Sequence, residues 1–317
     1  MRSRAIGTLG EALVETGFVI VEGHAIDERL IAETYAGWRR FFALDEAVKR
    51  RYAGSEGGAR GFTPFGVEHA RDNPAPDLKE FWHVGQEAPA GRPSRFEYPP
   101  NVWPGEVPGL RQPTLALFHE LERVAELLLL ALAEHFALPE ETFAAMARQG
   151  NSVLRILHYP AVPADVAATP AAAAGPAAAA PPAAGARPLR AAAHEDINLI
   201  TLLCEATGAG LELLSRDGEW LPVEARPGQI VVDAGDMLSR VTNQVIPAAT
   251  HRVVVPPVGA AAGAGERYSM PFFVHPYSEC ELAVLDRFVS PARPRRFPPI
   301  TAGELLDLRL REIGLKS

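Results

Sequence analysis

The sequence predicts an α+β protein with a mainly β core, flanked by helices. The chain has 317 residues, of which 47% are hydrophobic, and this is enough to build a substantial core. From Asn151 onward, short β-type runs alternate with turn residues, as in an antiparallel sandwich or barrel. Before them, a long apolar segment with helical periodicity needs a large apolar partner, and a sheet is the simplest one.

The N-terminal part mixes one short strand with helices. Residues 17–21 read as a strand that ends at the turn around Gly23. Residues 27–43 carry apolar side chains three and four positions apart, which predicts an amphipathic helix. A second helix is predicted from Pro113 to Phe136, with one apolar stripe formed by Leu115, Phe118, Leu121, Val124, Leu128 and Leu132.

The C-terminal part contains the predicted strands and a final helix. The candidate strands are residues 153–159, 198–204, 211–214, 219–223, 229–233, 251–255 and 268–275. Asp217-Gly218 is a strong hairpin signal between two of them. The final helix begins with Thr301 and Glu304 in capping-box spacing, and its apolar face continues with Leu306, Leu310 and Ile313.

Two tracts of small residues interrupt the β region. Residues 161–193 are more than half alanine and carry repeated prolines, which break helices, and few side chains here can be buried. We therefore predict a surface loop, except where its final residues enter the strand that carries His194. Residues 259–265 predict a second expanded loop between strands.

Charge and composition exclude several classes of partner. The formal net charge is -8, with 39 acidic against 31 basic residues, so no broad attraction for nucleic acid or anionic membranes is expected. The most apolar stretch, residues 124–138, contains Glu126, Glu134 and His135, and is too short to span a bilayer. Two cysteines are too few for a disulfide framework, and no signal-peptide core follows Met1. A cytoplasmic protein is expected.

Two histidines and an aspartate form a candidate metal site. His194 and Asp196 are separated by one residue, so on an extended backbone their side chains share one face. His251 lies 55 positions after Asp196, at the start of another predicted strand. Two imidazoles and one carboxylate leave coordination positions open, as in non-haem iron(II) oxygenases, although zinc could use the same ligands.

A second pair of residues indicates an anion site. In Arg267-Tyr268-Ser269, the arginine and serine share a strand face and could clamp a carboxylate by charge-assisted hydrogen bonds. His-x-Asp alone arises often by chance. Its combination with His251 and Arg267 is much more specific.

With these residues the chain resembles the isopenicillin N synthase-like family of iron(II)- and 2-oxoglutarate-dependent oxygenases, over nearly its whole length. The ordered motifs that carry the resemblance are residues 17–24, 154–160, 194–196, 210–214, 218–220, 227–228, 235–237, 242–243, 251–253 and 267–269. One motif departs from the family pattern. Leu157 and His158 stand where relatives usually have asparagine and tyrosine.

The resemblance implies a double-stranded β-helix, or jelly roll, with the iron near its open mouth and the long helix bracing the outside. It implies that Arg267, Ser269 and Tyr159 bind the distal carboxylate of 2-oxoglutarate, and that O2 is the other co-substrate. The implied organisation is an N-terminal region that covers the pocket (1–110), bracing helices (111–147), the jelly-roll core (148–280) and a C-terminal helical extension (281–317).

Aromatic residues of the N-terminal half are candidates for the substrate pocket. Phe62, Phe65, Phe81 and His83 could line it, although aromatic side chains are more often plain core. His158, next to the co-substrate tyrosine, and His275 are further candidates to approach the pocket. Arg60 could pair with an acidic substrate, but an arginine beside glycines is more often exposed, and exposure is expected here.

The function implied by the resemblance is oxidation of a small molecule, by default hydroxylation, with formation of succinate and CO2. Desaturation, ring formation and ethylene formation are other outcomes in the family. An iron(II) oxidase that does not use 2-oxoglutarate is a nearer alternative, because the Arg-x-Ser pair can bind a substrate carboxylate instead. A non-catalytic small-molecule binding protein on the same scaffold is the alternative from another class.

Overall fold

The computed structural model describes residues 2–53, 59–68, 77–87, 98–161, 189–256, 265–313 and 315. In these ranges the α-helices are α1 (Arg2–Thr16), α2 (Glu28–Phe42), α3 (Glu46–Lys49), α4 (Arg111–His135), α5 (Ala144–Ala147), α6 (Asp236–Val241) and α7 (Ala302–Glu312). The strands are β1 (Phe18–Glu22), β2 (Gly61–Thr63), β3 (Glu80–Gly85), β4 (Val153–Tyr159), β5 (Leu189–His194), β6 (Ile200–Cys204), β7 (Leu211–Leu214), β8 (Trp220–Pro222), β9 (Gln229–Ala234), β10 (His251–Val254), β11 (Arg267–Ser269) and β12 (Pro271–Val274).

The strands form two sheets. The major sheet has the order β1-β9-β6-β12-β4-β3-β2, with β11 also paired to β4, and the minor sheet has the order β5-β10-β7-β8. Their neighbouring strands are antiparallel. Apolar side chains from both sheets pack together, including Phe81 and Leu157 from the major sheet and Leu211 and Val253 from the minor one. The two sheets therefore face each other as a jelly roll.

Side chains of the major sheet alternate between two environments, as the period of a β-strand requires. Along β4, Leu154 and Ile156 belong to the main hydrophobic core, which also contains buried residues of α2 and α4. Val153 and Leu157, on the opposite face, line a cavity between the sheets. The helices thus brace the outer face of the major sheet, and the inner face is available for a site.

Helix α4 is the predicted bracing helix, and its buried face differs slightly from the predicted stripe. Leu117 and Leu129 are fully buried, whereas Leu115 and Leu128 are only partly buried and pack at the border of the core. The prediction chose one stripe of the helix, but a helix packed on a broad sheet buries a wider face. Pro113 lies in the first turn, where its missing N–H costs little.

Most predicted elements match within two residues, with one correction. Asp27 caps α2 by accepting from the Arg29 backbone N–H at 2.9 Å, and the Thr301–Glu304 capping box of α7 is present. The prediction of a single strand over residues 268–275 is wrong. The chain forms β11 and β12, separated at Met270, with Pro271 as the first residue of β12. A proline has no backbone N–H to donate to a ladder, which favours a break at this point.

The two tracts of small residues fall largely outside the described residues. Of the predicted loop over residues 161–193, residues 162–188 lie outside the description, while its final residues form β5, which ends at His194. Most of the second predicted loop, residues 259–264, is likewise not described. Across the helices that the structure describes, none is both long and apolar enough to cross a membrane.

Candidate active site

The pairing of β5 with β10 brings two of the predicted metal ligands together. His194 is the last residue of β5, and it lies directly opposite His251, the first residue of β10. The centroids of the two imidazole rings are 4.4 Å apart. Both histidines stand at the same end of the minor sheet, although they are distant in sequence.

Asp196 reaches the histidines from a loop rather than from an extended strand. Strand β5 ends at His194, and the backbone carbonyl of Asp196 accepts a hydrogen bond from the Asp236 N–H at 2.7 Å. Gly235 permits this approach, because a Cβ there would lie 2.2 Å from the Asn198 carbonyl oxygen. The turn after β9 thus holds the aspartate in place.

Donor atoms of the three residues face a common point. Asp196 Oδ1 lies 3.8 Å from His194 Nε2 and 3.9 Å from His251 Nε2. One ligand atom from each residue lies within 4.8 Å of the others. Donor atoms about 2.0–2.2 Å from one first-row metal are about 3.0–3.5 Å apart, so small inward movements of these side chains would bring all three around a single ion.

Backbone contacts set the tautomer of both imidazoles. Nδ1 of His194 lies 2.7 Å from the Ala192 carbonyl, and Nδ1 of His251 lies 2.9 Å from the Ala249 carbonyl. Because a carbonyl can only accept, each Nδ1 carries the hydrogen and each Nε2 keeps its lone pair. The rings are therefore oriented for coordination before a metal binds.

The aspartate is kept ionised by its neighbours. Burial alone would raise the pKa of Asp196, but His251 and His194 together with a hydrogen bond from Thr201 hold it below its usual range. Burial raises the pKa of the nearby Asp233 well above its usual range, and the charge of Asp196 raises it further. Asp233 therefore keeps its proton to a higher pH than Asp196 does.

The histidine on β5 is kept neutral. Withdrawal from bulk water and the neighbouring His251 lower the pKa of His194 to about 4, although one third of its side-chain surface (33%) remains accessible. Near pH 7 the ring therefore has a free lone pair, as metal binding requires.

Three further predicted residues lie at another part of the same cavity, which has a volume of about 500 Å³. Arg267 is opposite Tyr159 in the β11–β4 pairing, and its Cζ lies 5.1 Å from the centre of the Tyr159 ring. Arg267 donates from Nη1 to Ser269 Oγ at 3.1 Å and from Nε to the Gly208 carbonyl at 3.0 Å. With the arginine only 2% exposed, these contacts fix a buried guanidinium.

A second arginine near Arg267 had no role in the sequence-based prediction. Arg190, on β5, is buried and donates from Nη2 to the Gly265 carbonyl, while its Nε has no partner among the described residues. Burial and the charge of Arg267 lower the pKa of Arg190. Its position inside the alanine-rich tract concealed it, since that tract was interpreted as a loop.

The five candidate substrate residues have different positions. His83 lines the cavity, and Phe81 packs against it with ring centroids 4.8 Å apart. Phe62 belongs to the main core on the other side of the sheet, and Phe65 is 45% exposed. His158 stacks on Tyr268 and contacts Glu80, and it does not line the cavity. Pocket-lining roles for Phe62, Phe65 and His158 are therefore wrong.

The expectation that Arg60 is exposed is also wrong. Arg60 is 2% exposed and lines the cavity, and burial lowers its pKa to about 10. His275 lines the cavity as expected, and Asn151 and Arg155, which had no role in the sequence analysis, line it as well. The polar wall is thus larger than the motifs suggested.

The C-terminal helix closes one side of the cavity. Leu306, Leu310 and Ile313 of the predicted apolar face line it. Arg309 holds the helix to the core by donating to Asp236 at 2.6 and 2.9 Å. Because Asp236 also contacts the backbone of Asp196, this helix is tied to the metal-binding loop.

A jelly roll with a His-Asp-His cluster at one end of an inner cavity is characteristic of mononuclear non-haem metal oxygenases. The N-terminal domain model of the non-haem dioxygenases in morphine synthesis matches residues 1–106. The model of the 2OG-Fe(II) oxygenase superfamily matches residues 150–276.

Individual proteins give the same result. Proline hydroxylase buaE of Petromyces alliaceus is 30% identical over 285 residues, covering 86% of this chain and 82% of its own. A 2OG-Fe(II) oxygenase family protein from Caulobacter crescentus is 40% identical, with a TM-score of 0.82 and coverage of 98% and 94%. A Neurospora crassa protein solved in complex with alpha-KG and thymine is 25% identical, with a TM-score of 0.80 and coverage of 97% and 91%.

The chain belongs to the isopenicillin N synthase-like family within the 2OG-Fe(II) oxygenase superfamily. It is an iron(II)- and 2-oxoglutarate-dependent dioxygenase that uses O2.

Proposed function

We propose that the chain hydroxylates a small molecule, with His194, Asp196 and His251 as the iron ligands and with Arg267, Ser269 and Tyr159 binding 2-oxoglutarate. The observation that carries this proposal is the convergence of the three ligand atoms within 4.8 Å, at one end of a cavity that Arg267 also lines. The three ligand atoms suit an iron ion, and Arg267 suits the distal carboxylate of a 2-oxoglutarate molecule bound to that iron.

The protein residues supply orientation, charge and shelter. When bound, iron(II) and 2-oxoglutarate supply the activation of O2, which oxidises the substrate and yields succinate and CO2. The buried guanidinium of Arg267 provides a fixed charge and a planar fork for the distal carboxylate, and Ser269 shares that contact. Leu306 and Leu310 of α7 help to exclude water from the reacting groups.

The substrate class and the hydroxylation that we propose are based on the related proteins and on the size of the cavity. The related proteins include one named a proline hydroxylase and one solved with thymine, both small compounds. A cavity of about 500 Å³ suits a ligand of that class. We also propose a cytoplasmic location, which the two free, buried cysteines Cys204 and Cys280 support.

Ligand binding under anaerobic conditions tests these assignments directly. The protein is loaded with iron(II), 2-oxoglutarate is titrated in, and the metal-to-ligand absorption band is followed. Asp196→Ala is expected to abolish the band while the fold is kept. Arg267→Ala is expected to keep the iron but weaken 2-oxoglutarate binding about 10- to 150-fold, the usual loss for hydrogen bonds to a charged group.

Two further variants make the result specific. Arg267→Lys keeps the charge but loses the planar fork, so we expect a smaller loss than for alanine. Arg240→Ala is the control, because Arg240 also lies beside an aromatic ring, 5.0 Å from the centre of Phe297, but does not line the cavity. Unchanged 2-oxoglutarate affinity in Arg267→Ala would reassign this arginine, and full turnover in Asp196→Ala would remove the aspartate from the ligand set.

A further inference from the structure

One wall of the cavity contains a cation outside the proposed iron and 2-oxoglutarate sites. The inner face of β4 presents Val153, Arg155, Leu157 and Tyr159 to the cavity, and Asn151, two residues before the strand, also lines it. Tyr159 stands at the Arg267 end, and Arg155 is four residues away along the strand, a distance of about 13 Å. Arg155 is therefore available for a different ligand.

The guanidinium of Arg155 is held in one orientation. Its Nε donates to His83 Nε2 at 2.6 Å, and its Nη1 lies 3.1 Å from Glu68 Oε1. The Cζ atom lies 4.2 Å from the centre of the Phe81 ring and 5.1 Å from that of Phe273. Only 13% of the side chain is exposed. Because the side chain is already held in place, binding a ligand would cost it little conformational entropy.

One edge of that guanidinium remains available. Nη2 of Arg155 makes no hydrogen bond within the part of the chain that the structure describes. This nitrogen is not sealed inside the protein but reaches the space of the cavity. An acceptor on a molecule bound in the cavity could therefore pair with it directly.

The carboxylate already present does not saturate the arginine. Glu68 is shared with Lys79, whose Nζ lies closer to it, at 2.6 Å, than Arg155 Nη1 does at 3.1 Å. Lys79 also pairs with Asp77 at 2.8 Å. Both cations lower the pKa of Glu68 against the effect of its burial, so it stays ionised, and its contact with Arg155 is made through Nη1.

Two other polar groups of the cavity, His275 and Asn151, are neutral. Burial lowers the pKa of His275 to about 4, so its ring is uncharged near pH 7. Its Nδ1 and the Oδ1 atom of Asn151 are buried and have no partner among the described residues. Neither group would repel an anion, and both could hydrogen-bond a polar substrate.

On the basis of the proposed function, we infer that the prime substrate carries a carboxylate that accepts a hydrogen bond from Nη2 of Arg155. A carboxylate matches the charge and planar geometry of a guanidinium better than a neutral amide oxygen does. The low polarity of the surrounding Phe81 and Phe273 rings strengthens this difference. Arg155 is thus a specificity-determining residue for small carboxylic acids.

The test uses acids paired with their own primary amides. The anaerobic iron(II)- and 2-oxoglutarate-loaded protein is titrated with phenylacetate, cyclohexanecarboxylate or hexanoate, and separately with the corresponding amides. Binding is read from the melting temperature and from the shift of the metal-to-ligand band. At least one acid is expected to bind about tenfold or more tightly than its amide, and Arg155→Gln is expected to abolish that preference.

Controls separate this inference from the proposed function. Arg240→Gln alters an arginine beside a ring outside the cavity and should keep the preference for acids. If the wild-type protein gives no metal-to-ligand band, the proposed function fails and not the assignment of Arg155 alone. If the band is normal but no acid binds more tightly than its amide, the inference about the substrate is overturned.

Two outcomes for the variants are also decisive. A large loss of 2-oxoglutarate affinity in Arg155→Gln would place this residue in the co-substrate site and overturn the inference. Should Arg155→Gln not fold, Arg155→Lys replaces it, since lysine keeps the charge that faces Glu68 but lacks the planar fork. A reduced preference for acids in Arg155→Lys supports the inference, and an unchanged preference overturns it.

Discussion

Replacing Thr201 by valine tests the metal site without touching a ligand. The Thr201 hydroxyl donates to Asp196 Oδ2 and accepts from Asn198 Nδ2 at 3.1 Å, and the residue is 2% exposed. Valine has nearly the same shape, so the packing is kept and the polar contacts are lost. We expect a carboxylate that is less well oriented and less strongly ionised.

The expected loss can be worked out from these contacts. A hydrogen bond to a charged group contributes about 1.5–3 kcal/mol, and about 1.4 kcal/mol corresponds to a tenfold change in affinity. Removing a residue that hydrogen-bonds to a metal ligand commonly lowers the metal affinity about 10- to 100-fold. The dissociation constant for iron(II) should therefore rise about 10- to 100-fold in Thr201→Val, with the 2-oxoglutarate affinity of the iron-loaded protein nearly unchanged.

The assay is an anaerobic iron(II) titration in competition with a chelator of known affinity. Thr242→Val serves as the control, because Thr242 is also buried and donates to the Leu238 carbonyl at 2.8 Å, but does not line the cavity. An iron affinity in Thr201→Val equal to that of Thr242→Val would refute the reasoning, since both variants lose a buried hydroxyl.

Three other perturbations have defined outcomes. Gly235→Ala should weaken iron binding, because the new Cβ would lie 2.2 Å from the Asn198 carbonyl oxygen. Gly7→Ala is the control, because a Cβ at Gly7 meets nothing within 4 Å. Equal iron affinities in the two variants would contradict this prediction. The pKa of His275 is lowered to about 4, so the unfolded chain binds a proton below about pH 6.5 that the folded chain does not, and stability falls as the pH drops from 6.5 towards 4. Between pH 7 and 5 the free energy of unfolding should fall by about 2 kcal/mol for this reason. Urea titrations should show a smaller fall in His275→Gln than in the wild-type protein, and an identical fall would exclude His275 as the cause. Shortening residues 166–184, where limited proteolysis should cut first, should leave the melting temperature nearly unchanged; a collapse of the fold would identify a structural element.

Short motifs predicted the metal residues because the required chemistry uses few residue types. His-x-Asp followed by a distant histidine and Arg-x-Ser is a rare combination, and the structure brings these side chains to one cavity. The reason assumed for the first pair was incomplete, however. Asp196 is placed by the Asp236 turn and by the absence of a side chain at Gly235, not by an extended strand. Such long-range backbone contacts have no local signal.

The substrate side was harder to predict, because it depends on which face of a strand each residue occupies. Phe62 lies directly opposite Trp82 in the β2–β3 pairing, and such residues share a face. Trp82 is fully buried in the core, so Phe62 must point there too, while Phe81 and His83 point inward. Without the register of these strands, sequence alone cannot separate Phe62 from His83.

Along β4, by contrast, the alternation of side chains in a single strand was sufficient to decide which residues face the cavity. If Tyr159 faces the cavity, then Leu157, Arg155 and Val153 must face it as well, and His158 must face outward. The structure has this arrangement, with His158 stacked on Tyr268 on the outer side at a ring distance of 4.7 Å. The residue chosen for the co-substrate therefore already implied that Arg155 lies inside, where its guanidinium, paired with Glu68 through Nη1, leaves Nη2 open to a substrate carboxylate.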